Sequence, residues 1–221
     1  MEDRRISVRI SRVSSDDDNP KTVITSIIES QKPHVKEAVT QSLTSLPDSP
    51  KLAGFVLDMF CTSMIDVAND FGVPSYIYFV SGAAFPGFMF HAQFHHDELK
   101  KPITDLKDSD TELVVPTLAK PMHAKFLPSA ILNTDWVMYL YELTRRFGTV
   151  KGIMVNTFTE LESYAVNALS DIPPLYPVGP MLNLDGDNYD TSKKAEIMEW
   201  LDDQPESSVV LDLIVIPIRS R

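Results

Sequence analysis

Cysteine, glycine and long apolar runs are all scarce in this chain of 221 residues, and each scarcity excludes something. The one cysteine, Cys61, rules out an internal disulfide and points to a reducing, cytoplasmic setting. With only eight glycines, no G-x-G-x-x-G or G-x-x-x-x-G-K-[ST] loop is present to cradle phosphate. Neither H-E-x-x-H nor G-x-S-x-G occurs. Basic residues are outnumbered by acidic ones, 20 to 31, giving a net charge of −11 and no footprint for nucleic acid or an anionic membrane surface. The most apolar stretch, residues 73–90, is interrupted by Pro74, Ser75, Ser81, Gly82, Pro86 and Gly87, so it does not read as a membrane span. The opening MEDRRISVRI is charged and has no apolar core of a secretory signal.

What remains, at 43% apolar, is enough to build one substantial core. The most informative segment is AGFVLDMFCTSMIDVANDFGVPSYIYFVSGA, residues 53–83. Phe55, Val56 and Leu57 form an apolar run expected of a strand covered on both faces, and the run ends in Asp58. Met64, Ile65, Ala68 and Phe71 then recur at helical spacing, with Ser63, Asp66, Asn69 and Asp70 opposite. Gly72 suits a left-handed helix end, Pro74 blocks continuation, and Ser75 to Val80 read as a second strand. This β–α–β unit sets Asp58 at the C-terminal edge of a parallel strand, where open α/β sheets bind ligands. A loop or helix N-cap acid is the plainer reading of the same residue.

Elsewhere, apolar residues at helical spacing run from Thr22 to Leu46, with Pro33 expected to break or kink the stretch. A helix opening within 82–86 would bury Phe85, Phe88, Met89 and Ala92. Residues 101–129, with four prolines, read as a long surface connection. Trp136, Leu140, Leu143 and Phe147 mark another helix, closed by Gly148. Gly152 to Val155 is a strand, and Thr157 with Glu160 fits a capping box for a helix with Leu161, Ala165, Ala168 and Leu169 on one face. DIPPLYPVGP reads as an extended connector and residues 183–195 as an interdomain linker, followed by a short helix from Ile197 to Leu201. Alternating strands and helices predict a three-layer α/β fold with a mostly parallel sheet.

Several side chains are candidates for chemistry. Ser81 and Gly82 end the second strand on the same side as Asp58, where Ser81 either meets a ligand or caps a helix. Asn156 reaches that edge too, where a capping or turn role is the plainer reading. His91 and His95 share a helix face, but with His96 they lack a third ligand at metal-site spacing; a solvated helix end is the plainer reading, and a substrate contact the alternative. Cys61 reads as a small core side chain.

The words LDMFCTSMIDVANDFGVPSYIYFVSGAAF, GIMVNTFTELE, LYPVGPML and IMEWLDDQPESSVV, in this order, resemble the plant family 1 UDP-glycosyltransferases, nearest to those glucosylating flavonoids and other small phenolics or hormones. The resemblance covers roughly residues 5–210. It implies the N-terminal half of a GT-B fold, in which two Rossmann-like domains face across a cleft. It also implies an inverting transfer of glucose from UDP-glucose, a co-substrate, to an acceptor hydroxyl, with no cofactor and no metal. Asp58 matches the family's aspartate that supports a catalytic histidine. Val80 aligns with a position that contacts the sugar, often threonine, with Ser81 as a neighbouring substitute. Phe85, Phe88, Met89 and the 121–143 region would wall the acceptor pocket.

Measured against that pattern, the segment carrying the family's catalytic histidine is expected to precede this chain, since none of His34, His91, His95, His96 or His123 stands in its context. The donor signature from Trp-Ala-Pro-Gln to His-Cys-Gly-Trp-Asn-Ser is absent, and LDLIVIPIRSR after Val210 resembles a misread or prematurely ended reading frame. The expected organisation is an incomplete acceptor-binding domain, residues 1–182, followed by linker and aberrant tail, 183–221. A phenolic acceptor would bind here, and UDP-sugar only with the missing domain. A fragment inactive alone is one reading, and a non-catalytic acceptor-binding or interaction domain the alternative. Loss of the first strand would also leave strand edges unpaired and destabilise the fragment.

Overall fold

The structure, a computed structural model, describes residues 20–44, 51–107, 109–168, 170–181 and 191–205. The chain divides into two compact units, residues 1–181 and 182–221.

Among the described residues the first unit begins with helix α1, Pro20–Thr44, one helix that runs through Pro33, where a break or kink into two was expected. Pro33 and Glu29 both face solvent, so water can satisfy the carbonyl that loses its N–H partner. Strand β1 (Phe55–Asp58), helix α2 (Met64–Asp70) and strand β2 (Ser75–Phe79) form the β–α–β unit. The two strands are parallel, in register from Phe55↔Ser75 to Asp58↔Tyr78. Gly72 has φ +65°, the left-handed conformation that releases the chain from α2. The expectation that β1 is covered on both faces fails. Among the described residues it ends the sheet, and Val56 is 59% exposed while Leu57 is buried.

Helix α3 (Ala84–Asp97) follows, with Pro86 in its first turn and Phe88, Met89 and Ala92 buried. The proline-rich 101–129 stretch is more than a surface connection. It holds single 3-10 turns at Ile103–Leu106 and Ala124–Phe126, plus a small antiparallel hairpin of β3 (Glu112–Leu113) and β4 (Met122–His123). Ile103, Val115, Thr117 and Ala124 are all buried beneath it. Thr117 packs so closely on Gly87 that a Cβ there would collide with it, and its Oγ1 donates to the Ala84 carbonyl at 3.1 Å.

Helix α4 (Thr134–Phe147) starts at Asn133, whose side chain accepts from the Trp136 N–H at 3.1 Å, an ordinary N-cap. Strand β5 (Gly152–Val155) pairs with β2 in parallel. Helix α5 (Thr159–Val166) follows, and strand β6 (Leu175–Pro177) completes the sheet order β1–β2–β5–β6, with every pairing parallel. DIPPLYPVGP was expected to be a plain connector. Prolines are tolerated there because this strand lies at the sheet edge, where Pro174 need only accept from the Ile153 N–H and Val178 donates to Val155. Ile77, Phe79, Ile153 and Val155 are essentially inaccessible, and the Phe79 ring meets Phe147 edge-on at 5.3 Å. Each such side chain contributes about 1.5–3 kcal/mol through burial.

In the second unit, helix α6 (Thr191–Asp202) extends the predicted short helix toward its N-terminus. Residues 182–190, most of the predicted linker, lie outside the described residues.

Candidate functional site

Asp58 is the last residue of β1 and its side chain is exposed. Its Oδ1 accepts from the Phe60 N–H at 2.9 Å, and its carbonyl accepts from the Cys61 N–H at 2.9 Å. The side chain thus holds the turn after the strand, the role of an Asx turn. Its second oxygen carries no hydrogen bond among the described residues. Half-buried Cys61 follows, and burial together with the Asp58 charge pushes its thiol pKa up, keeping it protonated.

Val80 and Ser81 stand at the same C-terminal edge. Val80 is 68% exposed, and its carbonyl accepts from Asn156 Nδ2 at 3.2 Å. Ser81 does not cap α3, since its hydroxyl reaches only the Gly82 carbonyl at 3.4 Å. The cap comes from Glu162 in α5, whose carboxylate accepts from the Ala83 N–H at 2.9 Å and the Ala84 N–H at 3.3 Å. The capping box expected of Thr157 and Glu160 does not form. Phe158 is the N-cap of α5 without a side-chain bond, Glu160 is exposed, and the buried Thr157 hydroxyl has no partner among the described residues. Leu161, expected on one helix face with Ala165, Ala168 and Leu169, is 61% exposed while Ala165 is buried, since backbone torsions between them depart from helical values at Glu162; Leu169 lies outside the described residues. Asn156 does take a turn role. Its Oδ1 accepts from the Met181 N–H at 2.8 Å, joining the ends of β2 and β5 to the segment after β6.

Phe85 and Phe88 line an open apolar pocket of about 200 Å³, together with Leu118, Met122, Leu127 and Ile131. The predicted contribution of the 121–143 region is present in these last three. Met89 does not line it; its side chain is buried between α3 and α4, beside Val137 and Leu140. A cleft of mixed polar and apolar lining, about 280 Å³, lies beside the turn after Asp58, with Phe60, Thr62, Ser63, Asp66, Tyr139 and Arg146 in its wall. Asp58 itself lines neither.

The end of α3 is not the solvated terminus that its histidines suggested. Asp97 accepts from Arg145 of α4 twice, Nε to Oδ2 at 2.8 Å and Nη2 to Oδ1 at 2.6 Å, and also bonds His96 and Gln93. The Arg145 guanidinium holds the Asp97 carboxyl well below the usual carboxylate range. His96 also lies against the Tyr141 ring, at 4.7 Å between centroids. No group of three or more His, Cys, Asp or Glu side chains suited to a metal ion occurs among the described residues. No helix among them is long and apolar enough to cross a membrane.

Four parallel strands with a carboxylate at their C-terminal edge and an aromatic pocket under the following helix define a Rossmann-like domain, the N-terminal half of a GT-B glycosyltransferase. The fold matches a glycosyltransferase from Siraitia grosvenorii in complex with UDP, with TM-score 0.69 and 39% identity over 86% of this chain and 42% of that one. It also matches UGT71G1 of Medicago truncatula complexed with UDP-glucose, with TM-score 0.64 and 37% identity over 85% and 41% of the two chains. In sequence, the chain is 54% identical over 187 residues to anthocyanidin 3-O-glucosyltransferase 1 of Manihot esculenta, covering 84% of this chain and 41% of that protein. Anthocyanidin 3-O-glucosyltransferase 6 of the same plant is 56% identical over 188 residues, 83% of this chain and 47% of its own length. No family model matches. The chain belongs to the plant UDP-glycosyltransferases and spans less than half the length of these relatives, in their N-terminal half.

Proposed function

We propose that this chain is the acceptor-binding part of an enzyme that transfers glucose from UDP-glucose to a hydroxyl of a small phenolic compound, with inversion at the sugar carbon. The observation that carries this reading is the carboxylate of Asp58 at the C-terminal edge of a parallel sheet in a chain of this ancestry. One Asp58 oxygen is fixed by the Phe60 N–H, which leaves the other to accept from a histidine. A carboxylate so held fixes the imidazole tautomer and stabilises the imidazolium formed when the base takes the acceptor proton. Val80 and Ser81 at the same edge stand toward the sugar, and the Phe85–Phe88 pocket offers apolar walls to a flat ring. UDP-sugar is a co-substrate, no metal takes part, and the protein works in the cytoplasm.

No hydrogen bond joins Asp58 to any histidine among the described residues, so the proposed base comes from elsewhere in the enzyme. The 221-residue chain alone is therefore expected to give no glucosyl transfer above background with UDP-glucose and a flavonoid. The decisive test is a chimera in which residues 20–181 replace the matching stretch of the Manihot esculenta relative. It should transfer glucose with or without EDTA, and Asp58→Asn should lower kcat by about 10²–10⁴. A chimera whose rate is unchanged by Asp58→Asn would overturn the role given to that residue.

A further inference from the structure

The largest of the cavities described here, about 490 Å³, is not the Phe85–Phe88 pocket. It lies at the other end of α3, enclosed by His91 and His95, the 101–106 turn and β3. Its volume falls within the roughly 300–1,000 Å³ of small-molecule sites. Ile103 and Leu113 are buried beneath it and Leu106 is half-buried, giving an apolar floor. The two imidazoles lie one helical turn apart, with ring centroids at 4.3 Å. Neither ring nitrogen pair has a hydrogen-bond partner among the described residues.

Burial, and then the neighbouring His95, hold the His91 pKa below the ordinary histidine value, so this ring is neutral at pH 7. A neutral imidazole has one donor and one acceptor nitrogen. Beside a second imidazole, such a ring can serve one amphoteric group, accepting its proton while the neighbouring ring donates to its oxygen. The charged groups at the rim select further. Asp105 and Glu112 disfavour an anion, Lys101 disfavours a cation, and two histidines without a third ligand do not make a metal site.

We propose that this cavity is a second, accessory binding site for a neutral hydroxylated aromatic molecule, its hydroxyl held by His91 and His95 and its ring resting on Ile103, Leu106 and Leu113. The site is separate from the proposed acceptor pocket and does not depend on catalysis.

Umbelliferone, a planar hydroxycoumarin, serves as the probe for the full chain, with binding followed by calorimetry and by the imidazole nitrogen signals in NMR. Saturation should shift the His91 and His95 signals. His91→Phe combined with His95→Phe should weaken the site about tenfold, as should replacing the probe by its methyl ether. Leu113→Trp, which fills the cavity and keeps both histidines, should abolish the site. Phe85→Ala should leave the histidine shifts intact, so failure of the acceptor reading and failure of this one remain distinguishable. Saturation without movement of either histidine signal, or no binding at all, would overturn the proposal.

Discussion

Glu162 of α5 accepts hydrogen bonds from the Ala83 and Ala84 N–H groups, 79 and 78 residues earlier, and so caps the helix that carries the aromatic pocket. A helix N-terminus leaves four N–H groups without partners, and α3 has no capping side chain of its own. The negative charge also meets the positive end of the helix dipole. Gly82 belongs to the same arrangement, because a Cβ there would run into the Glu162 carboxylate.

Glu162→Ala should therefore destabilise the protein by about 1–2 kcal/mol, the range for a lost N-cap. Glu162→Gln should recover part of this, since its amide oxygen still accepts. Glu160→Ala, two residues away and exposed, should be close to neutral. Urea unfolding of the three variants checks the ordering, and equal losses at 160 and 162 would contradict the assignment.

The Asp97–Arg145 pair ties the end of α3 to α4 and has a pH signature. The Asp97 pKa is depressed in the folded chain, so its stabilising contribution is complete above the ordinary carboxylate value of about 4. That contribution fades as pH falls from there toward the lower folded value. The stability difference between the native chain and Asp97→Asn should shrink as the pH falls below about 4. Thermal melts across this range test it, and a difference that grows on acidification would reverse the sign.

Gly87→Ala offers a contrast with the usual helix rule. Alanine is ordinarily the better helix former by about 1 kcal/mol. Here the new methyl would strike buried Thr117, and overpacking of this kind costs about 1–3 kcal/mol. The substitution should lower the melting temperature, and Thr117→Ser in the same chain should restore part of the loss by removing a methyl group.

Phe85 and Phe88 should separate binding from folding. Phe88 is buried, so Phe88→Ala should cost about 3–5 kcal/mol. Half-buried Phe85 loses less on truncation, and Phe85→Ala should weaken flavonoid binding about tenfold while the fold survives. Calorimetric titration of a correctly folded Phe85→Ala chain decides it; undiminished affinity would remove this pocket from the acceptor site.

Local patterns carried the elements whose signals are local. The Phe55–Asp58 run, Gly72 at positive φ, the Ser75–Phe79 strand and the stripe Leu140–Leu143–Phe147 each follow from spacing or from one residue's backbone freedom. The errors fall where a distant partner overrides the local preference. Thr157 and Glu160 had the spacing of a capping box, but backbone torsions at Glu162 turned that segment, and Glu162 found its donors across the fold. DIPPLYPVGP had the composition of a connector, yet the free edge of β5 made it a strand.

The order of residues by itself determined that Asp58 ends a parallel strand, because an apolar run, a helix period and a glycine stop leave little other geometry. Tertiary structure alone decided which groups answer one another: Glu162 with Ala83, Arg145 with Asp97, Thr117 with Gly87. Periodicity along a chain reports which face of an element is apolar. The partner of a polar group dozens of residues away is fixed only when packing brings the two within hydrogen-bond distance.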